Sequence, residues 1–295
     1  MPDYVISCCS TSDLSEAHYR SRDIACVCFR FQLDGKEYTD DFWKTMEPPA
    51  FYQAMLDGAQ TRTSQIGVNA YEAFWTPFLE QGKDIIHLCM SSGISGTLNS
   101  ARIAADDLAK TWPGRRIIVI DSLGASSGYG LLADAMADRR DQGFTLDELA
   151  EWTEKNKLRI HYWFFSSDLT FYIRGGRVSR TAGFIGKLLN VCPLLNMDDS
   201  GRLIPREKIR GKRRVIREIV DRMAEHADGG ECYNGKCYLS HSDCIEDAKA
   251  VAAMIESRFP DLNGDVVIND IGPTVGAHTG PGTVALFFWG DERTE

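Results

Sequence analysis

Two stretches of the chain have residue types and spacing suited to chemistry. The first is Ser91-Ser92-Gly93-Ile94-Ser95-Gly96-Thr97. This hydroxyl-rich turn follows the apolar run Ile85-Ile86-His87-Leu88-Cys89 and precedes a pattern with Leu98, Ala101, Ala104, Ala105 and Leu108 at helical spacing. A turn at the carboxyl end of a buried strand that opens a helix aims free N–H groups and the positive end of the helix dipole outward, which suits an anion. Ser95 or Thr97 can cap that helix. The second stretch is Gly272-Pro273-Thr274-Val275-Gly276-Ala277-His278-Thr279-Gly280-Pro281-Gly282, read as a loop whose glycines and prolines fix an unusual backbone path. His278 is its only titratable side chain, and glycine density of this kind serves close approach of backbone to a ligand.

Other chemistry can be drawn from the same residue types. Ser95 and His278 have the makings of a nucleophile and base acting on acyl esters, with Asp121 or Asp270 orienting the imidazole. Gly93-Ile94-Ser95-Gly96, however, is not the G-x-S-x-G elbow of such hydrolases. Cys232, Cys237, His241 and Cys244 offer three thiols and an imidazole, but their spacing departs from paired C-x2-C zinc knuckles. No G-x-G-x-x-G follows the first strand and no Walker motif is present, so a dinucleotide or a P-loop nucleotide is not inferred.

The elements that must position these residues follow from periodicity. Tyr4–Cys9, Ile24–Phe31, Ile85–Cys89 and Arg116–Asp121 read as strands. Ser12 or Asp13 caps the turn after the first. Helical spacing marks 51–57, 69–81, 97–108 and 129–140, and Thr145 with Glu148 forms a capping box. Thr61-Arg62-Thr63-Ser64-Gln65 reads as a polar loop. Repeated strand–turn–helix predicts a Rossmann-like parallel α/β domain over residues 1–161. From residue 162 the character changes. Gly175-Gly176-Arg177 forms a basic loop, 203–205 a short strand, and Lys208–Arg214 a basic run before a helix over 213–226. Strands at 236–240, 265–269 and 283–289 and a helix at 244–258 complete an α+β domain over 162–295.

Composition narrows the function classes. The 295 residues carry 33 Lys+Arg against 42 Asp+Glu, a net charge of −9, which argues against a nucleic-acid backbone as the main partner. No apolar run reaches the ~18 residues of a membrane helix, so no stable membrane insertion is expected. Met1-Pro2-Asp3-Tyr4 lacks the pattern of a signal peptide, which makes the cytoplasm the expected compartment. The nine cysteines then read as reduced thiols.

In this order along residues 4–289, Thr63-Ser64-Gln65, the Ser91–Thr97 turn, Asp121-Ser122-Leu123, Arg174-Gly175-Gly176-Arg177 and the Gly272–Gly282 loop resemble the DegV family of bacterial fatty-acid-binding proteins. The resemblance implies two domains with a long-chain fatty acid (palmitate, stearate or oleate type) buried between them, no cofactor, and no catalysis by this chain. It implies a carrier subunit, monomeric when free, that presents the carboxylate to a separate fatty-acid kinase subunit for acyl-phosphate formation. It places the carboxylate on Thr63, Ser95, the Gly96 N–H and His278. Arg177, Arg210, Thr97 and Ser64 fall at the pocket mouth or partner surface. The apolar residues Phe164, Phe165, Phe184, Ile185, Leu188, Leu189, Val191, Leu194 and Leu195 are candidate walls. The family's T-D-S-T after the first strand is here Cys8-Cys9-Ser10-Thr11, and its T-S-Q-P has Ile66 in place of proline.

The physical chemistry is compatible with that expectation. A buried carboxylate requires hydroxyl, N–H or imidazole donors, because an unpaired buried charge costs several kcal/mol. Burying ~15 methylenes at ~0.8 kcal/mol each gives about 12 kcal/mol as an upper limit before ordering costs. The Lys208–Arg214 run is a candidate face for the kinase subunit or its nucleotide phosphates.

Overall fold

A computed structural model of the chain describes residues 3–179 and 190–294. The first half runs β1 (Tyr4–Cys9), α1 (Glu16–Ser21), β2 (Ile24–Val27), β3 (Arg30–Leu33), β4 (Lys36–Thr39), α2 (Pro48–Leu56), β5 (Thr61–Ser64), α3 (Val68–Glu80), β6 (Asp84–Cys89), α4 (Thr97–Thr111), β7 (Ile117–Asp121), α5 (Ser126–Asp141) and α6 (Leu146–Asn156). The second half runs β8 (Ile160–Ser166), α7 (Thr170–Arg174), β9 (Val191–Met197), β10 (Leu203–Arg210), α8 (Lys212–His226), β11 (Tyr238–His241), α9 (Ile245–Arg258), β12 (Val267–Asp270), α10 (Pro273–Thr279) and β13 (Thr283–Trp289).

Three sheets result. The Rossmann-like layer is a four-stranded parallel sheet in the order β2-β1-β6-β7. Its strands are near-continuous apolar runs because both faces are covered. A six-stranded sheet in the order β10-β9-β8-β13-β11-β12 is antiparallel except for β11 and β12. A small antiparallel sheet, β4-β3-β5, stands apart from both. The mixed α/β class and the α+β character of the second half agree with the sequence. The division expected after residue 161 falls just inside β8, which begins at Ile160.

Helix α5 joins the two large sheets. It packs on β1 of the first and on β8, β11 and β13 of the second. Tyr129, Leu131, Leu132, Ala133, Met136 and Ala137 are buried around its circumference, so it has no broad polar stripe. Gly128 marks the closest approach. A Cβ there would lie 2.2 Å from Tyr162 Cε1 and 2.6 Å from Phe287 Cδ1.

The pleat of β8 sorts its aromatic residues. Tyr162 and Phe164 join the core shared with the parallel sheet and α5, while Trp163 and Phe165 pack on the opposite face, in the core with α8 and α9. Leu194 and Leu195 divide in the same way.

Several expectations are corrected. The apolar stretch Ile24–Phe31 is not one strand. The chain leaves the parallel sheet after Val27 and enters the small sheet at Arg30, and both strands bury apolar side chains, so hydrophobicity does not mark the break. Thr61–Ser64 is a strand paired with β3, not a loop. Its β-branched Thr61 and Thr63 fit that role. The glycine-rich segment contains a short helix with Pro273 in its first turn and Gly280 beyond its end at φ 66°. After β1 the chain makes a 3-10 turn, and the first helix is capped by Ser15, which accepts the His18 N–H at 3.1 Å. The Thr145–Glu148 capping box is present as expected.

Candidate functional site

Between the two large sheets lies a cavity of about 540 Å³. Its walls come from all parts of the fold: Phe29, Met90, Phe164, Met197, Leu203 and Phe287 supply much of the apolar surface. Thr63, Ser64, Ser95, Gly96, Arg177 and His278 line the same space. Six residues separated by up to 215 positions in sequence therefore meet in one place.

The polar groups are held by identifiable contacts. β5 carries Thr63, and α10 brings His278 against it, with Nε2 at 2.7 Å from Thr63 Oγ1. The other ring nitrogen, Nδ1, is buried and has no hydrogen-bond partner. It sits against the backbone of Gly175, where a Cβ would lie only 2.4 Å away. Burial, and secondarily the charge of Arg177, pull the His278 pKa down to about 4, so the ring is neutral at neutral pH. A neutral ring donating from Nε2 to Thr63 leaves the threonine O–H free to donate onward. Burial also lowers the pKa of the Arg177 guanidinium, which bonds to the Gly175 carbonyl.

The Ser95 turn is braced against β5 by Gln65. Its Nε2 donates to Ser100 Oγ at 2.9 Å, and its Oε1 would be 2.2 Å from a Cβ on Gly96. Gly96, not Ser95 or Thr97, is the cap residue of α4. Ser95 Oγ accepts the Thr97 N–H at 3.3 Å instead. Arg177 is the one Lys or Arg among the described lining residues, and none of them is Asp or Glu. The arrangement suits a ligand with one anionic group and an apolar body.

Some sequence-derived assignments do not converge here. Thr97 points into the core, where its hydroxyl meets Tyr71 Oη at 2.9 Å, and it does not line the cavity. Arg210 is exposed at the end of β10 and away from the cavity lining. Phe165 and Leu194 belong to the core on the far face of the second sheet. Phe184, Ile185, Leu188 and Leu189 lie outside the described residues.

The hydrolase triad is not assembled. His278 engages Thr63, while Asp270 Oδ1 is 3.4 Å from His241 and Asp121 Oδ1 accepts the Ser92 and Leu123 N–H groups. The Cys232–Cys244 group does not gather either. Cys232 is exposed, Cys237 is buried in the α8–α9 core, and Cys244 Sγ bonds the Thr283 carbonyl at 3.2 Å.

Sequence reasoning missed the backbone of Gly175 as the seat of His278, Tyr162 as a cavity wall, and Gln65 as the brace. The Gly175-Gly176 pair was the available signal for the first; the other two carry no local signal.

These features define an α/β protein with an amphipathic cavity between its two large sheets. The DegV family model, described as "Uncharacterised protein, DegV family", matches residues 6–291, and the chain belongs to that family. The DegV domain-containing protein CPE0026 of Clostridium perfringens is 33% identical over 293 residues, covering 99% of each chain. A DegV family protein from Thermus thermophilus, whose structure is described by its fatty-acid binding, superposes with a TM-score of 0.86 at 25% identity over 98% of this chain and 99% of that one. The Fak B3 protein of Streptococcus pneumoniae fatty acid kinase, solved loaded with linoleic acid, has the same fold at a TM-score of 0.84 and 20% identity, over 99% of this chain and 100% of that one. Among the described residues no helix is long and apolar enough to cross a membrane.

Proposed function

We propose that the cavity holds one long-chain fatty acid, of palmitate, stearate or oleate type. Its carboxylate lies at Thr63, Ser95, the Gly96 N–H and His278, with the acyl chain against Phe164, Met197 and Phe287. The observation that carries this reading is the lining itself. It combines neutral donors and a single cation, Arg177, with an otherwise apolar wall free of Asp and Glu among the described residues. An anionic head is welcome there, and a cationic or phosphate-rich ligand finds little to balance it. The fatty-acid binding stated for the Thermus thermophilus relative supports the same class of ligand.

In this reading the protein is a carrier, not a catalyst. It is a cytoplasmic monomer when free, with residues 1–161 and 162–295 as two domains closing on the ligand. It presents the carboxylate to a separate kinase subunit that forms the acyl-phosphate. The kinase role is suggested by the family resemblance and by the name of the Streptococcus pneumoniae protein. Exposed Arg210, Arg213 and Arg214 are the docking candidates, whereas Lys212 is engaged with Asp247 at 2.6 Å.

Native mass spectrometry of the purified protein, followed by solvent extraction and lipid analysis, tests the ligand. A bound mass of fatty-acid size that is released by extraction is expected. An unliganded protein that also refuses added fatty acid overturns the reading. Charge reversal at Arg210 tests docking separately, and unaltered acyl-phosphate formation would count against that surface.

A further inference from the structure

Directly beneath the Ser95 turn lies a cluster that the lipid site does not use. Cys9 ends β1 and Cys89 ends the adjacent parallel strand β6, whose register pairs Cys8 with Leu88 one step earlier. His87 lies two residues before Cys89 and so shares its face of the sheet. All three side chains are fully buried, and their ligand atoms lie within 4.8 Å of one another. Cys9 Sγ is 3.6 Å from His87 Nε2, and Tyr71 Oη lies 3.5 Å from Cys9 Sγ and 3.7 Å from Cys89 Sγ.

We infer that Cys9, His87 and Cys89 form a buried zinc(II) site, with the Tyr71 oxygen as the fourth neighbour. Three observations carry the assignment. The first is spacing. Tetrahedral zinc with bonds of ~2.3 Å to sulfur and ~2.0 Å to nitrogen sets S and N atoms about 3.6 Å apart. The Cys9–His87 separation is that distance without rearrangement. The second is orientation. His87 Nδ1 is 2.9 Å from Ser7 Oγ, a partner able to accept its N–H and so aim the Nε2 lone pair at Cys9. The third is charge. Two thiolates and one Zn²⁺ are neutral together, which a site with no solvent access requires, whereas copper(I) with the same ligands leaves a buried negative charge.

Packing alone accounts for two buried cysteines, which behave as small apolar residues. The imidazole adds a directed donor set: His87 has Ser7 on one nitrogen and Cys9 on the other, with Cys89 Sγ in the same group within 4.8 Å. Cys8 is outside the group: its Sγ faces Ser12 and Tyr19, both at 3.8 Å. On binding, two Zn–S bonds and one Zn–N bond form, and the two thiol protons leave to solvent, so two protons are released per metal. Because Tyr71 also bonds Thr97 beside Gly96, an occupied site would brace the turn that opens into the cavity.

The test is refolding of the reduced full-length chain with cobalt(II) and then zinc(II). One equivalent of cobalt is expected, with sulfur-to-metal charge transfer and the visible bands of a tetrahedral site. Zinc should displace it with release of two protons. The bands should vanish in Cys9→Ser and Cys89→Ser, with metal affinity falling at least a hundredfold, and should persist in Cys8→Ser. X-ray absorption of the zinc-loaded wild type requires no variant and should show two sulfur ligands. The assignment is overturned by refolded wild type that takes no cobalt or zinc, or that takes copper(I) alone. A first shell of nitrogen and oxygen only also overturns it and points to the group of buried His161, half-buried His226 and exposed Asp291.

Discussion

Gly272 donates its backbone N–H to Asp13 Oδ1 at 2.9 Å, a bond between residues 259 positions apart. The other carboxylate oxygen of Asp13 accepts the Ser126 hydroxyl. One buried side chain in the turn after β1 therefore ties the first residue of α5 to the residue before α10, the helix that carries His278. The cavity is framed by elements that this carboxylate holds in place.

Asp13→Ala should destabilise the protein by about 1–3 kcal/mol, since it leaves the buried Gly272 N–H without its partner and the Ser126 hydroxyl with Ser240 alone. Urea unfolding of the ligand-free protein measures it. A change below ~0.5 kcal/mol would mean that the two helix starts are held by other contacts.

Thr63→Val, Ser95→Ala and His278→Ala should each weaken fatty-acid retention by about 10- to 100-fold, the loss of one charge-assisted hydrogen bond of roughly 1.5–3 kcal/mol. Competition binding with a fluorescent acyl chain reads the effect, and far-ultraviolet circular dichroism should be unchanged. Wild-type retention in all three removes the carboxylate from this end of the cavity.

Gly175→Ala places a methyl group 2.4 Å from His278 Nδ1 and forces the imidazole off Thr63. Affinity should fall about as far as in His278→Ala. Combining the two substitutions should add little, because they disable the same contact. An additive double variant would show that Gly175 acts by some other route.

The His278 pKa is lowered from 6.5 to about 4, with burial the larger cause. A base depressed in the folded state is protonated first in the unfolded chain. Stability is therefore complete above pH ~6.5 and falls as pH drops towards 4, by about 3 kcal/mol at most. His161, lowered to about 4 by burial and by His226, acts in the same window. Asp40, raised to about 6 by burial, acts in the opposite sense. Both are common to wild type and His278→Gln, so comparing the urea midpoints of the two at pH 7 and pH 5 isolates His278. The variant should lose less stability on acidification, and bound fatty acid should protect the wild type by favouring the charged ring. Equal pH slopes would argue against the buried neutral imidazole.

Gly128→Ala should cost roughly 1–3 kcal/mol, because its methyl group meets Tyr162 and Phe287 where α5 packs on the second sheet. Thermal unfolding should show the loss, and an unshifted midpoint would mean that the interface relaxes freely.

The parallel half of the fold was legible because its signals are local. Apolar runs end in small-residue turns and are followed by helical spacing, as at Ile85–Leu108, and the Thr145–Glu148 box announces its helix in four residues. The strand Thr61–Ser64 was not legible. Its polar sequence resembles a loop, and only pairing with Arg30–Leu33 makes it a strand. The helix bearing His278 was obscured by glycine, although Pro273 and Gly280 bracket it in the manner of helix ends.

The candidate site divides along the same line. The sequence by itself determined that the hydroxyl-rich turn holding Ser95 leads from a buried strand into a helix, that a lone histidine sits among glycines, and which family pattern those residues follow. Only the tertiary structure decided that Thr63 and His278 meet at 2.7 Å, that Thr97 turns into the core, and that Phe164 faces the cavity while Phe165 faces away. The reason is physical. Propensity and periodicity act over a few residues, whereas these contacts arise from strand pairing and helix packing between segments far apart in the chain, and nothing local encodes which distant partner each will find.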